Sequence, residues 1–283
     1  MTPAAPLVAD RPARHCWCGA SIAVEVWSGR YWKGRIAHAT LERCVECGTV
    51  RTGALKGISV ASGDGPGGIY VNLEPSGWEQ LNAPIIVQRH RPGALLEVGA
   101  NTGMLLKLLR TAGLDQLRGL EPNPACALAA RELGETIDVG WFDASYTPLA
   151  GLVTIVMSHV LEHLADPLAA LDLATQSLPA GGRLFLFVPN FASSRAQHDI
   201  ARWPPLNPVD HLWHFSPQTL AKLIAQHGKF TVLESFTTPL APLRWASPPR
   251  MLRSLVERGA ARAGRGEQLV FILERRQGLL RDR

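Results

Sequence analysis

The sequence predicts an α/β fold: a mostly parallel sheet with crossover helices, preceded by a small metal-stapled module. Three observations carry that prediction. Apolar runs alternate with helical patterns from about residue 84, a glycine-rich turn closes the first of those runs, and four of the five cysteines fall within the first 47 residues. The chain has 283 residues, 46% of them hydrophobic and 19% charged. It can therefore bury one large core, or one core with an appendage, and chain-wide disorder is excluded.

The cysteines come first in chain order. Cys16, Cys18, Cys44 and Cys47 sit where Gly, Ser and Pro are frequent and apolar periodicity is weak. A region that buries little surface often needs a metal or disulfide staple. The start of the chain lacks the charged-then-apolar order of a secretory signal, so a cytoplasmic protein is expected, and there paired-Cys turns favour zinc over disulfides. The second turn, Cys44-Val-Glu-Cys47-Gly48, is a knuckle whose glycine lets the backbone fold under a metal. The first, His15-Cys16-Trp17-Cys18-Gly19, offers either Cys16 or His15 as the fourth ligand. Four protein ligands make this zinc structural, with no open position for catalysis.

Residues 51–80, with the run GDGPGG at 63–68, read as a linker or substrate-side loop. Beyond them ALLEV (94–98), LRGLE (117–121), TIDV (136–139), LVTIVMS (152–158) and RLFLFVP (183–189) read as strands. The segments between them read as helices, an order that implies parallel pairing. The first strand ends in Glu97-Val98-Gly99-Ala100-Asn101-Thr102-Gly103. Glycines permit a tight turn and close approach of a ligand there. Their spacing of four, and the carboxylate of Glu97, do not suit a dinucleotide pyrophosphate. The second strand ends in Glu121, placed to accept ribose hydroxyls, and Trp141-Phe142-Asp143 follows the third.

EVGANTG, LEPN, FDA, HVLEHLADP, VPN and DHLWHFSPQTLAKLIAQHG together resemble the class I S-adenosylmethionine-dependent methyltransferases over roughly residues 84–276. The resemblance implies a Rossmann-like seven-stranded sheet, mostly parallel with its last strand antiparallel. It also implies S-adenosyl-L-methionine as cofactor, with Glu97, Gly99, Asn101 and Gly103 at the methionine end, Glu121 on the ribose, Asp143 on the adenine amine and His159 lining the cofactor. The Gly-x-Asn-x-Gly turn with a zinc knuckle resembles deoxysugar C-methyltransferases in particular. Their histidine motif is not reproduced, and residues 81–283 leave no room for their C-terminal domain. On this reading residues 1–80 are the zinc-knuckle module with its linker and 81–283 the methyltransferase domain.

The expected reaction is in-line methyl transfer to a small-molecule acceptor, a sugar or another secondary-metabolite or glycan precursor. His211, His214 and His159 are the candidate catalytic residues. Residues 190–216 are expected to cover the acceptor, with Ser216-Pro217 opening the next helix. Lys229–Phe236 and Gln268–Glu274 are read as the sixth and seventh strands, and Arg250–Arg262 as a helix between them. Two other readings compete: a catalytically inactive methyltransferase-like binding module, and a zinc peptidase built on His159-x-x-Glu162-His163. The net charge of +5 reads as a solvated basic tail and not as a nucleic-acid surface. No apolar run reaches membrane-spanning length, so no membrane partner is expected. Oligomeric state is not legible.

Overall fold

The computed structural model describes residues 15–32, 35–60, 74–239 and 257–277. A first sheet is an antiparallel meander of β1 (Ala23–Trp32), β2 (Arg35–Cys44) and β3 (Val50–Val60), extended by the short β9 (Trp213–His214) in the order β1-β2-β3-β9. The second holds β4 (Ala94–Val98), β5 (Leu117–Glu121), β6 (Ile137–Val139), β7 (Leu152–Ser158), β8 (Arg183–Pro189), β10 (Phe230–Thr238) and β11 (Gln268–Arg275). Its order is β10-β11-β8-β7-β4-β5-β6, parallel except that β11 runs antiparallel to both neighbours. This is the expected seven-stranded sheet.

Its central strands are mostly apolar because both faces are covered. Leu96, Ile155, Leu184 and Leu186 face a layer that includes α4 (Pro167–Ser177) and α6 (Pro217–His227). Leu95, Val156, Phe185 and Phe187 face α1 (Gly77–Arg89), α2 (Met104–Thr111) and α3 (Pro124–Glu132). Helix starts follow the capping rules: Asn123-Pro124, Asp166-Pro167 and Ser216-Pro217 each put a side-chain cap before a proline whose missing N–H is no loss there. Among the described residues no helix is long and apolar enough to cross a membrane.

Three expectations differ from the structure. Residues 51–60, the start of the segment read as linker or loop, belong to strand β3, whose Thr52 Oγ1 donates to the His211 carbonyl at 2.7 Å. The end of that same segment belongs to α1, which runs across residue 80 and is opened by a Ser76/Glu79 capping box. The segment after β8 is also less open than a lid. It contains α5 (Ser194–His198), and Phe191, Trp203, Leu206 and Val209 pack with Leu41 and Val50 of the first sheet. The GDGPGG run and most of Arg250–Arg262 lie outside the described residues, though 257–262 are helical.

Candidate active site

The second sheet changes direction at β4. The chain steps outward from β4 through β5 to β6, then returns to place β7 on the other side of β4. Ligands of open α/β sheets bind beyond the carboxyl ends of the strands at such a switch point. Gly99 and Gly103 take φ of +69° and +73° there, and Asn101 joins them at +47°. A Cβ on Gly99 would lie 2.7 Å from Val160 Cγ2, so the turn after β4 and the loop after β7 are in contact.

Two carboxylates frame this turn. Glu121, at the tip of β5, accepts from the Asn101 and Asn123 amides, one on each oxygen at 2.8 Å. Burial raises its carboxyl above the ordinary range, against the pull of those amides. Glu97 is buried at the end of β4 and its Oε2 has no hydrogen-bond partner. Burial, reinforced by the charges of Glu79, Glu121 and Glu135, pushes its carboxyl well above the usual range. Such a group is stabilised by an incoming cation. Asp143, beyond β6, is different: it is exposed, and its Oδ1 accepts from the Ser145 amide at 2.8 Å and hydroxyl at 2.6 Å. The Ser145 contacts hold it below the usual range.

His159 follows β7 at φ +56°. Its Nε2 lies 2.9 Å from Gln268 Oε1, and Trp78 of α1 lies against the ring at 4.8 Å. Gln268 Nε2 donates to Asn82 Oδ1 at 2.8 Å and Thr238 Oγ1 at 3.0 Å, which orients its Oε1 towards the histidine. Trp78, Asn82 and Gln268 escaped the sequence reading. The Ser76-x-x-Glu79 pattern marks the helix that carries the first two, but Pro84 inside it breaks the helical signal. Nothing local marks Gln268, because its role comes from residues far away in the chain.

His214 lies in β9 beside Trp213, at the edge of the first sheet, and His211 just precedes that strand. Their rings are 6.5 Å apart, and His163 meets His211 edge-on at 4.6 Å. His214 is fully buried, with Nε2 3.1 Å from Thr52 Oγ1, and burial pushes it down to about 3. It is neutral at physiological pH. The peptidase arrangement is absent: only Leu161–His163 form a 3₁₀ turn, so His159 and His163 do not share a helical face.

At the other end of the chain Cys16, Cys18, Cys44 and Cys47 bring their sulfurs within 4.8 Å of one another. Cys16–Cys47 is 3.4 Å and Cys18–Cys44 3.6 Å. Tetrahedral sulfurs about 2.3 Å from zinc would lie about 3.8 Å apart. Burial raises the Cys44 thiol, yet the Cys47 and Glu46 amides outweigh it and bring it down to about 7. The donor set thus fits a structural zinc ion. His15 stays outside it, with Nδ1 3.1 Å from Ser21 Oγ.

This topology and site define the class I S-adenosylmethionine-dependent methyltransferase fold. A family model described as a methyltransferase domain matches residues 79–235, more than half of the sequence, and the chain belongs to that family. Solved structures share the fold at low identity. A methyltransferase in complex with the Haloferax volcanii Trm112 methyltransferase activator is 17% identical, with TM-score 0.53, covering 71% of this chain and 91% of its own. A SAM-dependent methyltransferase of Thermotoga maritima is 17% identical, with TM-score 0.52 and coverage of 71% and 90%. The [4+2]-cyclase SpnF is 16% identical, with TM-score 0.52 and coverage of 73% and 89%. No curated protein matches the chain.

Because Asp143 is exposed and already held by Ser145, Asp143→Ala should weaken S-adenosylhomocysteine binding only about three- to tenfold. Isothermal calorimetry measures this directly.

Proposed function

We propose that this protein transfers a methyl group from S-adenosyl-L-methionine to a small-molecule acceptor, a sugar or another secondary-metabolite or glycan precursor. The observation that carries the reading is the pair of carboxylates at the tips of β4 and β5. Glu121 is fixed by two amides and has lone pairs left for ribose hydroxyls. Glu97 is buried beside the turn with an unpartnered oxygen suited to an ammonium group. The bound cofactor would supply the electrophilic methyl carbon. The protein's residues then hold the two ends of the donor and the acceptor in line, and alignment of this kind is worth up to about 7–11 kcal/mol.

Val160 closes on Gly99, and Trp78 backs the His159 ring, so the methyl position would be walled on the β7 side. His214, neutral and buried, would position the strand after the acceptor loop and not move a proton. His211 and His159 are the candidates for contact with the acceptor. The four-cysteine cluster would hold a structural zinc ion that fixes the first sheet beside them. The sugar assignment rests on the Gly-x-Asn-x-Gly turn together with the knuckle.

The SpnF likeness supports a second reading, because that protein's fold serves a cyclisation. The experiment is calorimetry with S-adenosylhomocysteine, followed by incubation with methyl-labelled S-adenosylmethionine and a panel of hydroxylated acceptors. Binding and a labelled product are expected. Absence of binding would remove the cofactor assignment, and binding with no labelled product would favour the non-transferring module.

A further inference from the structure

The loop after β7 holds a carboxylate that the cofactor site leaves unexplained. Glu162 is 1% exposed, and neither of its oxygens accepts a hydrogen bond. An ionised carboxylate in such a place is costly unless a cation or a proton meets it. Three side chains lie around it. His163 and His211 each bring a ring nitrogen into a group with a Glu162 oxygen in which all three atoms are within 4.8 Å of one another. His159 Nδ1 lies 3.4 Å from Glu162 Oε1 on another side.

The hydrogen bonds set which nitrogens are available. His163 Nδ1 is 2.9 Å from the Asp210 carbonyl, which can only accept. Nδ1 therefore carries a proton, and the neutral ring has its lone pair on Nε2. A histidine oriented by a backbone carbonyl on one nitrogen is the usual arrangement of a metal ligand. His159 uses Nε2 towards Gln268 Oε1, another acceptor, so its neutral form turns a lone pair towards the Glu162 carboxylate. Those two electron-rich groups need something positive nearby. His211 is fixed from behind, its backbone N–H donating to the Asn207 carbonyl at 2.7 Å and its carbonyl accepting from Thr52.

We propose that Glu162, His163 and His211 bind a divalent first-row transition-metal ion, separate from the cysteine cluster. Two imidazoles and one carboxylate suit Mn2+, Fe2+ or Zn2+ and leave coordination positions open. His163 is exposed, so the site opens outward on that side, and Val160 ties the same loop to the Gly99 turn. On the methyl-transfer reading above, on which this step rests, the open position takes an acceptor hydroxyl. The ion lowers the hydroxyl's pKa, the O–H bond breaks, the electron pair stays on oxygen and the proton leaves to water. The acceptor would then be an oxygen nucleophile.

The test begins with the wild-type protein, saturated with zinc, desalted and analysed for metal. Two zinc ions per chain are expected, one in each cluster, with one left in Glu162→Gln, His163→Ala and His211→Ala. Mn2+, which the thiolates disfavour, should bind the zinc-loaded wild type in an electron paramagnetic resonance titration and bind each variant at least tenfold more weakly. Glu162→Gln is nearly isosteric, and retention of the knuckle zinc and of the circular dichroism spectrum shows that a variant is folded. One zinc in the wild type and no Mn2+ binding would overturn the proposal and leave His159 as the partner of Glu162. Retention of the second ion by the variants would overturn the ligand assignment. Calorimetry with S-adenosylhomocysteine on the same samples separates this failure from failure of the methyltransferase reading.

Discussion

Replacing Cys44 or Cys47 by alanine is expected to remove the zinc proposed for the cysteine cluster and lower the thermal midpoint by about 10 °C. Cys16, Cys44 and Cys47 are buried in the same cluster as Trp213, Leu220, Leu223 and the β7 and β8 side chains. Lys222 of α6 also reaches across to donate to the Cys47 carbonyl at 2.9 Å. Loss of the ion therefore leaves unlinked thiols inside the main core, not on a detachable arm. Structural zinc supplies about 10–16 kcal/mol to isolated finger peptides. Here three strands also order the module, so a smaller share of about 3–5 kcal/mol is expected. At about 2–4 °C per kcal/mol for a domain of this size, the shift follows. Differential scanning calorimetry, with zinc content measured in parallel, checks it. A zinc-free variant that melts with the wild type would show that packing alone holds the knuckle. Because β3 pairs with β9, the damage should reach His211 and His214 and reduce methyl transfer more than cofactor binding.

The sequence made the second sheet legible because its strands are covered on both faces. Leu184 and Leu186 point one way, Phe185 and Phe187 the other, so the strand is apolar from Leu184 to Pro189. The Gly99–Gly103 turn was equally legible, since its positive φ values demand residues that tolerate them. The first sheet gave no such signal. Val24 and Val26 of β1 are exposed, and Gly29 and Gly53 interrupt β1 and β3. Its order comes from the cysteine cluster and from Trp213 and His214, which pair with Val50 and Arg51. Those partners lie more than 150 residues away, beyond any local pattern. Long-range pairing likewise hid the Asn82–Gln268 bridge that orients His159. The motif His159-x-x-Glu162-His163 matched a helical zinc-peptidase pattern, but the chain turns at His159, and His211 from another segment joins Glu162 and His163 while His159 Nδ1 stays 3.4 Å from Glu162 Oε1.

Glu97→Gln is expected to divide stability from cofactor affinity. Burial and three neighbouring carboxylates hold the Glu97 carboxyl well above the ordinary range in the free protein. The unfolded chain releases that proton near pH 4.3, whereas the folded protein keeps it to higher pH. The stability this group confers is therefore fully present below the unfolded value and is lost as pH rises towards the folded one. Glutamine needs no proton, so Glu97→Gln should melt at or above the wild-type temperature, with its advantage growing from about pH 5 upward. Binding should move the other way. An ammonium group placed beside Glu97 favours its ionised form, so the wild type should release a proton on binding and bind more tightly as pH rises. Glutamine loses the charged hydrogen bond, worth about 1.5–3 kcal/mol, or roughly 10- to 100-fold in affinity for S-adenosylhomocysteine. Calorimetry in buffers of different ionisation enthalpy reads proton release and affinity together. Equal affinity in wild type and variant, or binding without proton release at pH below the folded value, would move the ammonium away from Glu97. The same carboxylate that weakens the empty fold would then need another reason to be buried beside the turn.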